Sequence, residues 1–109
     1  MCGIAGIVAP EARRYEKALE QMMSALRHRG PDGEGTHLLE NCALAHTRLS
    51  IVDLKTGRQP MVSAVTAASV VFNGEIYGYQ SIRASLDYPF VTSSDTEVIL
   101  ALYDRYGAD

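Results

Sequence analysis

The chain has 109 residues, with 10 Lys+Arg against 13 Asp+Glu, a formal net charge of -3 and 47% hydrophobic residues. That suits one small folded domain, burying roughly 60–68% of its unfolded surface, and argues against a polybasic nucleic-acid module or an acidic disordered tail. No apolar run approaches the roughly 18 residues of a membrane-spanning helix, and the N-terminus lacks the basic and apolar regions of a secretory signal.

Residues 4–8 form a short apolar run, broken by Gly6 and stopped by Pro10, and read as a strand. Over 11–28, Tyr15, Leu19, Met22 and Leu26 recur at helical spacing with Ala18 and Ala25, which predicts a helix packed through that face. Tyr15 and the Met22-Met23 pair are then packing residues, and Arg13-Arg14 a solvated pair. The helix stops before Arg29-Gly30-Pro31-Asp32-Gly33. Strands are predicted at 36–39 and 43–49 around a turn at Glu40-Asn41. Their imperfect alternation suggests a sheet covered on both faces, with Cys42 in the core. Residues 53–58 read as a loop. A strand at 70–72 runs into a tight Asn73-Gly74 turn, followed by a helix at 77–86 and a short strand. Ser94-Asp95-Thr96-Glu97 has the form of a capping box opening a last helix, which Gly107 stops. There is no repeat or internal domain boundary.

Two cysteines make no disulfide framework, so free thiols and a cytoplasmic location are the simplest expectation, with a single disulfide as the alternative. Cys and His spacing gives no metal-binding pattern, and no metal ligand is assigned. Cys2 carries more chemistry. Removal of Met1 would leave it with a free α-amine of reference pKa near 8 beside a thiol near 8.5. That amine can take the thiol proton and later return it to a leaving group, so one residue supplies nucleophile and base for attack on an acyl carbon. A retained Met1 would hold the same nitrogen as an amide. The alternative is that Cys2 packs as a small hydrophobe.

Six ordered segments carry a resemblance. Met1-Cys2-Gly3-Ile4-Ala5-Gly6 resembles the start of N-terminal-nucleophile glutamine amidotransferase domains. His28-Arg29-Gly30-Pro31-Asp32-Gly33, His46-Thr47-Arg48-Leu49-Ser50-Ile51-Val52-Asp53 and Gly57-Arg58-Gln59-Pro60-Met61 resemble later segments of the asparagine-synthetase branch. So do Phe72-Asn73-Gly74-Glu75-Ile76-Tyr77 and the run from Thr92 to Leu100. The similarity is strongest to the N-terminal glutaminase domain of glutamine-hydrolysing asparagine synthetases; Gly78 departs from the Asn common in that family segment.

The resemblance implies that Cys2 is the nucleophile on the glutamine side-chain amide, its α-amine the base and then the acid. Asn73 and the Gly74 N–H would form the oxyanion hole. Arg48 would hold the substrate carboxylate, its planar fork suited to a bidentate pair. Glu75 and Asp95 would face the substrate ammonium, and backbone groups of Leu49 and Ile51 would line the pocket. Arg29 and Asp32 would organise the loop. Taken without the family, Arg48 fits a surface ion pair equally well, Asp95 a helix N-terminus and Glu75 a solvated loop. His28 and His46 rank below the Cys2 amine as bases.

The resemblance also implies an α+β fold: a four-layer αββα N-terminal-nucleophile sandwich of antiparallel sheets, of which residues 1–109 form an incomplete part. The synthetase domain is absent from these residues, and with it the Ser-Gly-Gly loop that serves ATP and Mg²⁺ in forming β-aspartyl-AMP. The expected partners are glutamine and either the missing C-terminal half, another subunit or a second copy in a homodimer. Nucleic acid and membrane are not among them. Two other readings are a related amidotransferase with another ammonia acceptor and a catalytically silent interaction protein built on the partial sheet.

Overall fold

The apolar run after Cys2 forms strand β1 (Gly3–Val8). It pairs with β3 (Cys42–Arg48), which also pairs with β2 (Gly33–Leu38), giving an antiparallel sheet of order β1-β3-β2. The computed structural model describes residues 2–49 and 57–108. The turn expected at Glu40-Asn41 joins β2 to β3, closed by the Leu39 N–H donating to the Cys42 carbonyl at 2.7 Å. In the sheet register, Ala5 and Thr36 both lie opposite Ala45, and Ile7 and Leu38 both opposite Ala43. Residues directly opposite share a face, so this face carries mostly small or apolar side chains.

Helix α1 (Glu16–Leu26) packs on that face. The single helix expected over 11–28 is instead a 3₁₀ turn, Ala12–Tyr15, followed by α1. The chain enters this turn through Glu11 at φ 54, while the Ala12 N–H donates to the Glu40 carbonyl at 2.8 Å. A tertiary hydrogen bond to the β2–β3 turn thus sets where the helix starts. The core consists of Ala12, Leu19, Ala43 and Ala45, with Ala5, Ile7, Met23 and Leu38 packed against it. Alanines on β3 let the helix lie close to the sheet. The buried stripe therefore runs through Leu19 and Met23, whereas Tyr15 and Met22 are 45% and 38% exposed. The predicted packing face was rotated by one residue at Met22.

Coverage on both faces holds for β3, where the successive residues Ala45, His46 and Thr47 are buried, and not for the flanking strands among the described residues. Away from α1, Ile4 is 46% and Val8 84% exposed. Cys42 is half-buried rather than core, and both cysteines carry free thiols. Arg13 and Arg14 are exposed, with Arg14 paired to Glu11 at 3.0 Å.

A second, two-stranded sheet joins β4 (Met61–Val62) to β5 (Ser69–Val70), with Met61 opposite Val70. Sequence reasoning predicted no strand at 61–62 and carried the later strand to Phe72. The ladder ends earlier because side chains hold the backbone groups of Phe72: its N–H donates to Gln59 Oε1 at 2.6 Å, and its carbonyl lies 3.3 Å from His46 Nε2. Asn73-Gly74 is accordingly part of an irregular bend and not a hairpin turn.

Helix α2 (Tyr79–Ser85) is shorter than the predicted 77–86, and α3 (Asp95–Tyr106) packs against α2, β4 and β5. No strand forms between the two helices. The Glu97 side chain occupies the backbone there instead, accepting from the N–H groups of Val91 and Thr92 at 2.9 and 2.7 Å. Ser94 caps α3 as expected, but the reciprocal capping box does not form. Ser94 Oγ accepts from the Thr96 N–H at 3.2 Å, whereas Glu97 reaches past Ser94 to Val91 and Thr92. Gly107, at φ 72, follows the last turn as expected. The result is a mixed α+β architecture with two small antiparallel sheets and three α-helices among the described residues. No helix among them is long and apolar enough to cross a membrane.

Candidate active site

Cys2 sits just before β1, at the end of the sheet where β3 leaves Arg48. The Leu49 N–H donates to Cys2 Sγ at 3.3 Å, and the thiol points back to the Leu49 carbonyl at 3.7 Å. The Leu49 backbone therefore serves the sulfur directly. Arg29 Nε donates to the Cys2 carbonyl at 3.2 Å, tying the loop after α1 to the residue that carries the thiol. The Asp32 N–H donates to the Arg48 carbonyl at 2.9 Å. Both loop residues thus hold backbone at the sheet end.

A cavity of about 400 Å³ opens beside this point. Its lining includes Cys2, Arg48 and Leu49 from the sheet end, Gln59 from the segment before β4, Asn73, Gly74 and Glu75 from the bend, and Asp95 from the start of α3. Its size lies within the range of small-molecule sites, roughly 300–1,000 Å³. Of the candidate residues, Cys2, Arg48, Leu49, Asn73, Gly74, Glu75 and Asp95 meet in it; Arg29 and Asp32 stand outside the lining. Ile51 lies outside the described residues.

The bend is a close fit. A Cβ on Gly74 would come within 2.9 Å of the Phe72 ring, so a residue without a side chain lets the chain turn there. Asp95 Oδ2 accepts the Ile76 N–H at 2.9 Å, which ties the far end of the bend to α3. Asp95 also occupies the first turn of α3, where a negative charge is favoured. Among the described residues Arg48 joins no ion pair, in contrast to Arg14 and Arg27. Among the described residues the cavity therefore presents one cationic side chain, Arg48, and two carboxylates, Glu75 and Asp95, beside a thiol. A free amino acid, with its carboxylate and ammonium, matches that pattern of charge.

His46 also lines the cavity and is 1% exposed. Burial pushes its pKa down and the nearby Arg48 adds to this, while the Phe72 carbonyl opposes it. A carbonyl can only accept, so Nε2 carries the proton and donates to Phe72. Nδ1 is buried and has no hydrogen-bond partner among the described residues. With Nε2 engaged at a backbone carbonyl and Nδ1, the basic nitrogen of this tautomer, making no hydrogen bond to the sulfur, His46 supports the bend. His28 is exposed and outside the cavity.

Sequence reasoning gave Gln59, Phe72, Tyr77, Ser94 and Thr96 no part in the site, yet all of them line the cavity. Gln59 lay inside a noted segment, but nothing local marks a glutamine whose partners are 13 and 37 residues away. Among the described residues no cluster of His, Cys, Asp and Glu could hold a metal ion.

A family model described as a glutamine amidotransferase domain matches residues 1–109. The glutamine-hydrolysing asparagine synthetase 2 of Oryza sativa subsp. japonica is 41% identical over 112 residues, covering 100% of this chain and 19% of that protein. Asparagine synthetase B of Escherichia coli (strain K12), also glutamine-hydrolysing, is 42% identical over 113 residues, covering 100% of this chain and 20% of its own length. The glutamine-hydrolysing asparagine synthetase 2 of Bacillus subtilis (strain 168) is 42% identical over 112 residues, covering 98% of this chain and 15% of that protein. The chain thus spans about a fifth or less of the length of these relatives. Matched from its first residue to its last, it belongs to the glutamine amidotransferase domain family, alongside the corresponding segments of glutamine-hydrolysing asparagine synthetases.

Proposed function

We propose that this chain is the glutaminase part of a cytoplasmic, glutamine-hydrolysing asparagine synthetase, a ligase. The observation that carries the reading is the convergence of Cys2, Arg48, Asn73, Gly74, Glu75 and Asp95 on one cavity from separate parts of the chain. Arg48 binds the glutamine α-carboxylate through its guanidinium fork, and Glu75 and Asp95 receive the α-ammonium. This directs the side-chain amide to the thiol.

Once Met1 is removed, the Cys2 α-amine accepts the thiol proton and the sulfur attacks the amide carbon. Negative charge then develops on the amide oxygen, where the Asn73 side chain and the Gly74 N–H donate to it. Removing one such donor costs about 10²–10³ in rate. The ammonium formed at Cys2 returns its proton to the departing nitrogen, and ammonia leaves. Water adds to the γ-glutamyl thioester, its proton passing to the α-amine and on to the sulfur. The net reaction is glutamine plus water to glutamate plus ammonia. Leu49, whose N–H already meets the sulfur, steadies the thiolate.

The fold proposed for the whole is the four-layer αββα sandwich, of which residues 1–109 supply part. The exposed face of β1, with Ile4 and Val8, is where a second layer would pack. A synthetase domain beyond these residues would supply ATP and Mg²⁺ chemistry and consume the ammonia in making asparagine from aspartate. No step within this chain runs through those groups. The names of the relatives favour aspartate as acceptor over that of another amidotransferase.

The test is release of glutamate and ammonia from glutamine by the intact protein, with Cys2→Ala beside it. The account expects equimolar release by the parent and none above background from Cys2→Ala. Equal release by both, or none by a folded protein lacking Met1, overturns the reading and favours an interaction role.

A further inference from the structure

The backbone over 71–76 belongs to no helix or strand. Side chains from three other places hold it. The Phe72 N–H donates to Gln59 Oε1 at 2.6 Å, the Phe72 carbonyl accepts from His46 Nε2 at 3.3 Å, and the Ile76 N–H donates to Asp95 Oδ2 at 2.9 Å. Asn73, Gly74 and Glu75 are suspended between these ties.

Gln59 does more than hold one end. Its Nε2 donates to Thr96 Oγ1 at 3.2 Å. Thr96 is 2% exposed and follows Asp95 in the first turn of α3. One carboxamide thus spans the bend that bears Asn73-Gly74 and the helix start that bears Asp95. Gln59 is itself held close to the large sheet: a Cβ on Gly35 in β2 would lie 2.1 Å from the Gln59 carbonyl oxygen.

We propose that Gln59 is a positioning residue for glutamine hydrolysis, fixing the separation between the oxyanion donors at Asn73-Gly74 and the ammonium-binding carboxylate of Asp95. The proposal rests on the glutaminase reading above. Glutamine must be gripped at its ammonium while its amide oxygen meets preset donors. A misplacement of about 1 Å between such groups can cost about 10²-fold in rate. A planar amide accepts at one end and donates at the other, as Phe72 and Thr96 require. Gln59→Met keeps the length and loses both bonds. Gln59→Glu keeps the acceptor for Phe72, and the Thr96 hydroxyl can turn to donate to the new carboxylate.

The experiment compares these two variants with the parent, as the intact protein, by backbone amide hydrogen exchange and by glutaminase kinetics. Gln59→Met is expected to exchange faster over 72–76 and in the first turn of α3. Its kcat should fall at least about tenfold, more than its KM rises. Gln59→Glu should recover much of the protection and of kcat. Unchanged exchange over 72–76 in Gln59→Met overturns the proposal. So does a lowered Tm with unchanged kcat per folded molecule. Should Gln59→Met fail to fold, Thr96→Val, which cuts only the α3 end, serves the same comparison: faster exchange over 72–76 with reduced kcat supports the coupling, and parent-like values overturn it. A parent protein without Cys2-dependent glutamate release sinks the glutaminase reading and the catalytic part of this proposal together. Exchange over 72–76 still decides whether Gln59 holds the bend.

Discussion

Cys2 is one of the two residues whose surroundings matter most, since its sulfur meets both the N–H and the carbonyl of a single residue, Leu49. The other is His46, whose neutral form is built into the support of the bend. Burial lowers its pKa, so the folded protein resists the proton that the unfolded chain accepts near the ordinary value of about 6.5. Where the unfolded state binds more protons, stability rises with pH. The contribution from neutral His46 is therefore complete above about pH 6.5 and is lost as pH falls from there through the lowered folded value. The urea midpoint should drop on acidification through that window, and His46→Gln should show a shallower drop. Identical pH slopes would contradict this placement of His46. The type and position of these residues were legible in the sequence; their partners were not. Nothing in the spacing of His46 and Phe72, 26 residues apart, announces a hydrogen bond between them.

At the scale of the element, α3 was the most readable. Ser94 caps it, and Gly107 follows its last turn. Its missed feature is Glu97. The capping-box pattern predicts a bond back to the cap residue, but the buried side chain extends further, to Val91, Thr92 and the Thr92 hydroxyl. That grip replaces the short strand expected before α3 and, with Arg83 donating to the Thr92 carbonyl, fixes how the chain approaches the helix that bears Asp95. Glu97→Ala leaves these donors without an acceptor, each at about 1–3 kcal/mol if no water reaches it. Since Val91 is exposed, partial rehydration brings the expected destabilisation to about 2–4 kcal/mol, measured by urea unfolding. A loss below about 0.5 kcal/mol, the usual range of a surface change, would contradict the role. In α1, by contrast, periodicity gave the helix but not its exact phase. Leu19 is fully buried, yet the methionine packed against the core is the partly buried Met23 and not Met22, because the helix begins only after a 3₁₀ turn anchored to Glu40.

At the scale of the whole molecule, sequence alone read a mixed α+β chain and the order of its larger elements. The two-residue strand β4 escaped it, since so short a segment has no periodicity and is defined by its pairing with β5. Coverage on both faces, expected for β2 and β3, is found only on the central strand β3, while Ile4 and Val8 of β1 face away from α1 and lie open among the described residues. The cavity shows why function was easier to read than packing. Its chemical groups come from separate motifs whose order along the chain carries the family resemblance, whereas the ties that hold them in register run between motifs. The central claim is that Cys2, freed of Met1, forms a thioester with glutamine. Mass measurement of the N-terminal peptide, from active protein quenched during turnover of glutamine, tests it most directly. The account predicts a peptide beginning at Cys2 and, in a fraction of molecules, bearing a glutamyl group on its sulfur; a turnover-competent protein whose chain still begins at Met1 would contradict it.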